Sequence, residues 1–184
     1  MEPGMTYTPQ EGCLCQNWML QPEVPGFRSS EQKAGARRCA SSLRVQGKTG
    51  LHESSCNRDP KTANWWLGIN DEWIGYWPRT IFTTLASGAT FLEWGGEIIN
   101  GGRTGHTTTD VGSGHFPSQG LDGVSDSFNN LQYVDQNYKV MKPTTVSAFA
   151  SRPKCYNLKV LGDVGGNRGY TFFFGGTGRN ANCR

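Results

Sequence analysis

Two glutamates, Glu93 and Glu97, sit four residues apart in the apolar run Phe91-Leu92-Glu93-Trp94-Gly95-Gly96-Glu97-Ile98-Ile99. Paired carboxylates can do acid–base work on a water molecule. One is ionised and takes a proton, while the other is protonated and gives one. Read as a strand, the odd-numbered residues share a face, so Glu93 and Glu97 point the same way. Four residues at strand rise separate them by about 13 Å. Cooperating carboxylates in hydrolases lie within about 5–10 Å, so a glycosidase built on Glu93 and Glu97 is disfavoured. Any partner of Glu97 must come from another strand. Gly95 and Gly96 weaken a strand unless something passes close by. A cleft with a carboxylate at its floor is one such reason, and a solvated sheet face is the plainer alternative.

Other chemistry-bearing residues give less. Trp65, Trp66, Trp73, Tyr76, Trp77 and Trp94 form an aromatic set, which reads mainly as core, with some members available to line a groove for extended peptide or sugar. His106 and His115 lie in a polar, turn-rich stretch with no metal-ligand companions at helical spacing and no nucleophilic triad, which reads as a structured loop. Gln46-Gly47-Lys48-Thr49-Gly50 ends like a phosphate loop, but position 42 is Ser42 where the motif needs glycine, and no strand precedes it. Gly175-Gly176-Thr177-Gly178 is a glycine-rich turn and no dinucleotide fingerprint. Cys155 and Cys183 flank a predicted hairpin. They are either two buried thiols or a bridge worth about 3 kcal/mol in the chain-entropy picture.

The elements that must position these groups are strands. Short runs alternate with glycine-rich turns after Asp59-Pro60: residues 64–69, 73–77 (stopped by Pro78), a long strand over 89–99, a candidate at 131–135, and a closing antiparallel pair at 156–161 and 170–174. Residues 79–85 read as a short helix or turn, and no long amphipathic helix or internal repeat is visible. The pattern predicts an all-β chain, an antiparallel β-sandwich or barrel. Residues 1–58 show neither a period of 2 nor one of 3.6 and read as loop-rich. Cys13, Cys15, Cys39 and Cys56 fall there without metal-ligand spacing.

Composition sets the outer bounds. A chain of 184 residues makes one domain. Its 25 glycines suit a turn-rich β fold, and its 11% aromatic content offsets a low 35% hydrophobic content. A formal charge of +3 is too weak to argue for nucleic acid or acidic membranes. No run approaches the ~20 apolar residues of a membrane span. The first residues show no signal-peptide pattern, whereas six cysteines suit an oxidising compartment.

Several segments, in one order, carry a resemblance. They are Asn64-Trp65-Trp66-Leu67, Ile74-Gly75-Tyr76-Trp77-Pro78, Ile81-Phe82, Glu93-Trp94-Gly95-Gly96-Glu97-Ile98, Gly112-Ser113-Gly114-His115-Phe116-Pro117, Cys155-Tyr156-Asn157-Leu158 and Phe172-Phe173-Phe174-Gly175-Gly176. From about Asp59 to the end, the chain resembles the neprosin family of plant glutamic endopeptidases. The resemblance implies a β-sandwich and descent from secreted or vacuolar enzymes that cut proline-containing peptides after proline, in acid, with two glutamates and a water. It implies no cofactor or metal. Glu97 matches one of the two catalytic glutamates, and the resemblance implies a Cys155–Cys183 bridge. The family's other glutamate belongs to an upstream Glu-Ala-Gly-Trp motif, which these residues do not contain. Tyr7–Cys15 and Pro25-Gly26-Phe27 faintly match the family, 28–58 lose the pattern, and Arg58-Asp59-Pro60-Lys61 regain it. Residues 1–58 are therefore expected to be a divergent part of one partial domain over 1–184, altered by a frameshift or exon boundary, and 59–184 to be family-like. The expectation is a peptidase by ancestry with little or no activity as written. The alternatives are a non-catalytic module binding peptide or cell-wall glycan and a purely structural β-domain.

Overall fold

The computed structural model describes Arg28–Ser29 and residues 43–47, 50–98 and 105–184. Its strands are β1 (Arg28–Ser29), β2 (Leu43–Gly47), β3 (Gly50–Arg58), β4 (Trp65–Ile69), β5 (Glu72–Trp77), β6 (Asp126–Asn129), β7 (Tyr133–Val134), β8 (Val140–Met141), β9 (Asn157–Asp163) and β10 (Tyr170–Gly175). Eight of them form one antiparallel sheet in the order β1-β5-β4-β3-β2-β6-β10-β9, and β7 pairs with β8 apart from it. The chain is all-β, as predicted. The barrel alternative is not realised: β1 and β9 stand at opposite edges, and the sheet does not close among the described residues. One 3-10 turn, Arg79–Ile81, follows Pro78, in keeping with the short helix or turn expected there.

Local chemistry explains the pairings. Asn70 and Asp71 join β4 to β5 with φ of 47° and 69°. Positive φ at both central residues is the turn whose twist matches a two-residue hairpin, and Asn and Asp tolerate it best after glycine. Asn70 Oδ1 also accepts the Glu53 N–H at 2.9 Å, tying the turn to β3. At the other side, β9 and β10 form the predicted closing pair, with Phe172 opposite Val160 and Phe174 opposite Leu158.

The core has two centres. Phe128, Leu131, Tyr170 and Phe172 form one, over β6, β10 and β9, with Trp94, Val146, Leu158, Val160 and Phe174 packed against it. Phe128 stacks on Phe174 at 4.7 Å between ring centroids. Trp65, Leu67 and Trp77 form the second, over β4 and β5, joined by Cys56, Phe82, Leu85 and Ala89. The Trp65 indole N–H donates to the Leu85 carbonyl (2.9 Å), and the Arg58 guanidinium donates to the Ala86 carbonyl (2.9 and 3.2 Å). These bonds pin the chain leaving Pro78 across the sheet and deliver it to Phe91.

Three sequence expectations do not hold. The long strand over 89–99 is absent: from Ala89 to Ile98 only Leu92 makes a bridge, and Ile99 lies outside the described residues. Phe91 is 57% exposed, Leu92 37%, and Trp94 is the residue that packs on the core. A strand needs alternate burial, and this segment lacks a second anchored position on the same side. The loop-rich reading of 1–58 fails at β2 and β3, which lie in the middle of the sheet. Polar residues hide β3, since it buries Ser54 and Asn57 where an apolar alternation would have announced it. The candidate at 131–135 shortens to Tyr133–Val134, and the strand that enters the main sheet there is the unforeseen β6.

Candidate active site

The segment bearing Glu97 is held by the Trp94 side chain and by close approach at Gly96. Trp94 packs into the first core centre. A Cβ on Gly96 would stand 3.3 Å from Val111 Cγ2 and 3.9 Å from Phe174 Cε2, whereas a Cβ on Gly95 would meet nothing within 4 Å. The turn therefore leans on β10 through Gly96 and faces open space at Gly95. Glu97 itself is exposed. Glu93 is exposed too, and the same-face argument that joined it to Glu97 lapses, because it required a regular strand.

The other family-like segments converge on the same end of β10. The Val111 N–H donates to the Gly176 carbonyl at 2.9 Å. The His115 carbonyl lies directly against Gly175, where any Cβ would collide with it, and the Cys155 carbonyl and the Tyr156 Cα leave Gly176 equally little room. The Tyr156 hydroxyl donates to the Thr109 carbonyl at 2.8 Å. Burial and the negative charge of Asp110 push this phenol above its ordinary range, so it remains a donor through neutral pH. Segments drawn from 94–98, 109–115, 155–156 and 174–176 thus meet around one strand end.

His115 is exposed and reaches this meeting point through its backbone carbonyl. His106 lies against the Tyr156 ring, 5.3 Å between centroids. Neither is assembled with a serine or cysteine nucleophile by any contact described above, in keeping with their reading as loop residues. Cys155 and Cys183 are bridged, with Cα atoms 5.3 Å apart, as the family resemblance implied. Gly47 pairs with Gly50 across the β2–β3 hairpin. In the stretch that ends like a phosphate loop, Gln46 and Gly47 belong to β2 and Gly50 to β3, and residues 48–49 lie outside the described residues.

One residue near the site went unnoticed in the sequence. Asp126 opens β6 directly opposite Phe174. A Cβ on Gly112 would be 3.0 Å from the Asp126 carboxylate and 3.2 Å from Phe174 Cε2, the same ring atom that faces Gly96. Asp126 and Gly96 thus lie beside the same Phe174 ring. Three of the four residues Asp126-Ser127-Phe128-Asn129 are polar, so no apolar alternation marks this strand in the sequence.

The aromatic set divides cleanly. Trp65 and Trp77 are buried and paired across β4 and β5. Trp66 and Tyr76, one position along, face the other way. Trp66 packs on Tyr76 at 4.8 Å and on Trp73 at 5.8 Å, and all three are half-buried.

The neprosin family model matches residues 15–177. That span takes in the Glu97 turn, the segments meeting at the end of β10, and both strands that the sequence had hidden within 28–58. It covers far more than half of the chain, and the chain belongs to the neprosin family.

Proposed function

We propose that this polypeptide carries half of a glutamic endopeptidase centre, with Glu97 as one of the two carboxylates that act on water during cleavage of proline-containing peptides. The observation that carries the reading is the convergence of the family's segments on the turn of Glu97. Trp94 and Gly96 fix that turn against Phe174, and Glu97 is left facing solvent, where a substrate can reach it.

Two close carboxylates share a proton, so one stays protonated into mild acid and can donate while the other accepts. A single glutamate cannot hold both roles. These 184 residues contain one glutamate that matches the family's pair, so the polypeptide is inactive or nearly so toward such peptides. An oxidising setting, secreted or vacuolar, suits its disulfide. Incubation with a proline-containing peptide in acid, read by mass spectrometry, tests the proposal. No cleavage is expected. Cleavage that disappears in Glu97→Gln would overturn the inactivity and leave the role of Glu97 standing, with Asp126→Asn then testing the carboxylate beside Gly112 and Phe174. Cleavage that survives Glu97→Gln would remove Glu97 from the chemistry.

A second reading rests on Trp66, Trp73 and Tyr76. Three aromatic rings packed together and part exposed on a sheet face are a platform for proline rings or sugar faces. Under this reading the chain binds peptide or cell-wall glycan without turnover. Tryptophan fluorescence titration with prolyl peptides and glycan oligomers should then saturate, and Trp66→Ala should abolish the response. An unchanged response in Trp66→Ala would dismiss the platform.

A further inference from the structure

A ring nitrogen of His106 and the Sγ atoms of Cys155 and Cys183 all lie within 4.8 Å of one another. We propose that reduction of the Cys155–Cys183 bridge converts this spot into a site for a borderline-soft divalent cation, zinc foremost, bound by the two thiolates and His106. Two sulfurs and one imidazole make a three-ligand set that zinc accepts with its fourth position open to water. While the bridge is intact, the sulfurs are spent on each other, so the site exists in one redox state alone.

The imidazole is held by its own backbone. His106 Nδ1 lies 3.0 Å from the Thr107 carbonyl. Since a carbonyl only accepts, Nδ1 carries the proton and Nε2 keeps its lone pair. Metal-binding histidines are set up in this way, one ring nitrogen donating to a backbone oxygen while the other ligates. The Thr107 carbonyl is itself fixed, since it also accepts the Arg179 N–H at 2.7 Å.

The sulfurs stay together without their covalent bond. Asn180 Nδ2 donates to the Lys154 carbonyl and to the Gly178 carbonyl, each at 2.9 Å. Asn180 and Cys183 exchange backbone bonds at 2.9 and 3.1 Å. The Cys155 carbonyl is seated against Gly176. These contacts hold the segment of Cys155 to that of Cys183 whether or not the bridge is closed. Cys155 and Cys183 are 1% and 4% exposed, and His106 is half-buried, so the histidine edge is the side open to an ion.

The chemistry balances with a small-molecule thiol as reductant. Two thiol equivalents supply two electrons and leave as their own disulfide, the protein S–S bond breaks, and each protein sulfur gains a proton. The metal ion then displaces both protons. In the test a phosphine serves instead, its phosphorus taking oxygen from water.

Calorimetric titration of the full chain with zinc chloride provides the test, in a background where Cys13, Cys15, Cys39 and Cys56 are serine. The phosphine-reduced protein should bind one zinc and the oxidised protein none. Losing a ligand should weaken binding at least as much as losing a ligand's hydrogen-bond partner does, so His106→Ala should weaken it by about 10–100-fold or more. Cobalt in place of zinc should give a thiolate-to-metal absorption band in the reduced protein, absent after Cys155→Ser with Cys183→Ser. His106→Gln, closer in size, repeats the comparison should the alanine variant misfold. Equal zinc affinity in oxidised and reduced protein, equal affinity with and without His106, or no thiolate band with cobalt would each overturn the proposal.

Discussion

Trp94-Gly95-Gly96 and Phe174-Gly175-Gly176 are the same words in sequence, an aromatic residue followed by two glycines, and the fold uses them in opposite ways. At the end of β10 both glycines are buried, with the His115 carbonyl pressed on Gly175 and the Cys155 carbonyl on Gly176. At the Glu97 turn, Gly95 has open space where a side chain would go, and Gly96 touches only the tips of Val111 and Phe174. The first pair lets four stretches of chain cross at one point. The second leaves room beside the backbone two residues before Glu97. Glycine pairs in this protein therefore mark either a crossing of backbones or a clearing, and only the surroundings say which.

The largest effect should separate the two pairs outright. Gly176→Ala sets a methyl group against backbone that cannot move aside, and should cost about 3 kcal/mol or more, at or beyond the upper end for overpacking. Gly95→Ala should be neutral or stabilising by up to about 1 kcal/mol, because the methyl meets nothing and the unfolded chain loses freedom. Urea unfolding of both variants checks the contrast, and similar losses at the two positions would erase it.

Next in size is the bridge that ties the same crossing. Cys155→Ser with Cys183→Ser should lower stability by about 3 kcal/mol, since a loop of this length regains its entropy in the unfolded state. The loss should fall on the crossing, seen as faster hydrogen exchange at Val111 and Tyr156, with the hairpin of β4 and β5 little changed. Uniform acceleration across both halves of the sheet would argue against a local tie.

How much of this was legible follows from where polar residues sit. The β4–β5 hairpin and the β9–β10 pair could be read because apolar and aromatic residues alternate or cluster between turn residues. β3 and β6 could not, because Ser54, Asn57, Ser127 and Asn129 are buried polar residues. Asn129 Nδ2 donates to Ser127 Oγ at 2.9 Å, and its Oδ1 accepts from the Thr171 hydroxyl at 3.2 Å; such polar bonding within the sheet leaves no trace in hydrophobic period. The segment at 89–99 failed the other way. It has the apolar content of a strand, but Phe91 and Leu92 are exposed, and Ala89 and Trp94 pack on different core centres. The proposal of Glu97 rests on the order of family-like segments, and strand periodicity does not bear on it, because no regular strand forms there.

A smaller effect comes from pH. The Gly165 N–H donates to the Asp163 carboxylate at 2.9 Å, and this bond outweighs modest burial, with help from the Lys142 charge, to hold Asp163 below its ordinary range. At Asp135 the Lys139 N–H does the same in the β7–β8 connection. At Asp59 burial pulls upward, but bonds from Thr62 and from the Lys61 and Thr62 N–H groups outweigh it and hold the carboxyl low. Each folded pKa lies below the unfolded value of 3.8. The stabilisation is therefore complete above that value and is lost as pH falls through the folded one. Unfolding midpoints should be flat from neutral pH into mild acid and drop below about pH 4. Asp163→Asn should make that drop shallower, and an identical drop in the variant would dismiss Asp163 as a contributor.

The smallest stability effect belongs to the residue of greatest functional interest. Glu97→Gln, at an exposed position, should change stability by no more than about 0.5 kcal/mol. That makes it a clean probe of chemistry, unlike any change at the crossing, where lost activity would be confused with lost structure.

The most direct measurement is a cleavage assay of the 184-residue polypeptide and its Glu97→Gln variant on one proline-containing peptide across acidic pH. A lone surviving glutamate of the pair predicts no product from either protein above the level of buffer. Product from the wild-type chain that vanishes in Glu97→Gln would contradict the account, because Glu97 would then have a working partner within these residues.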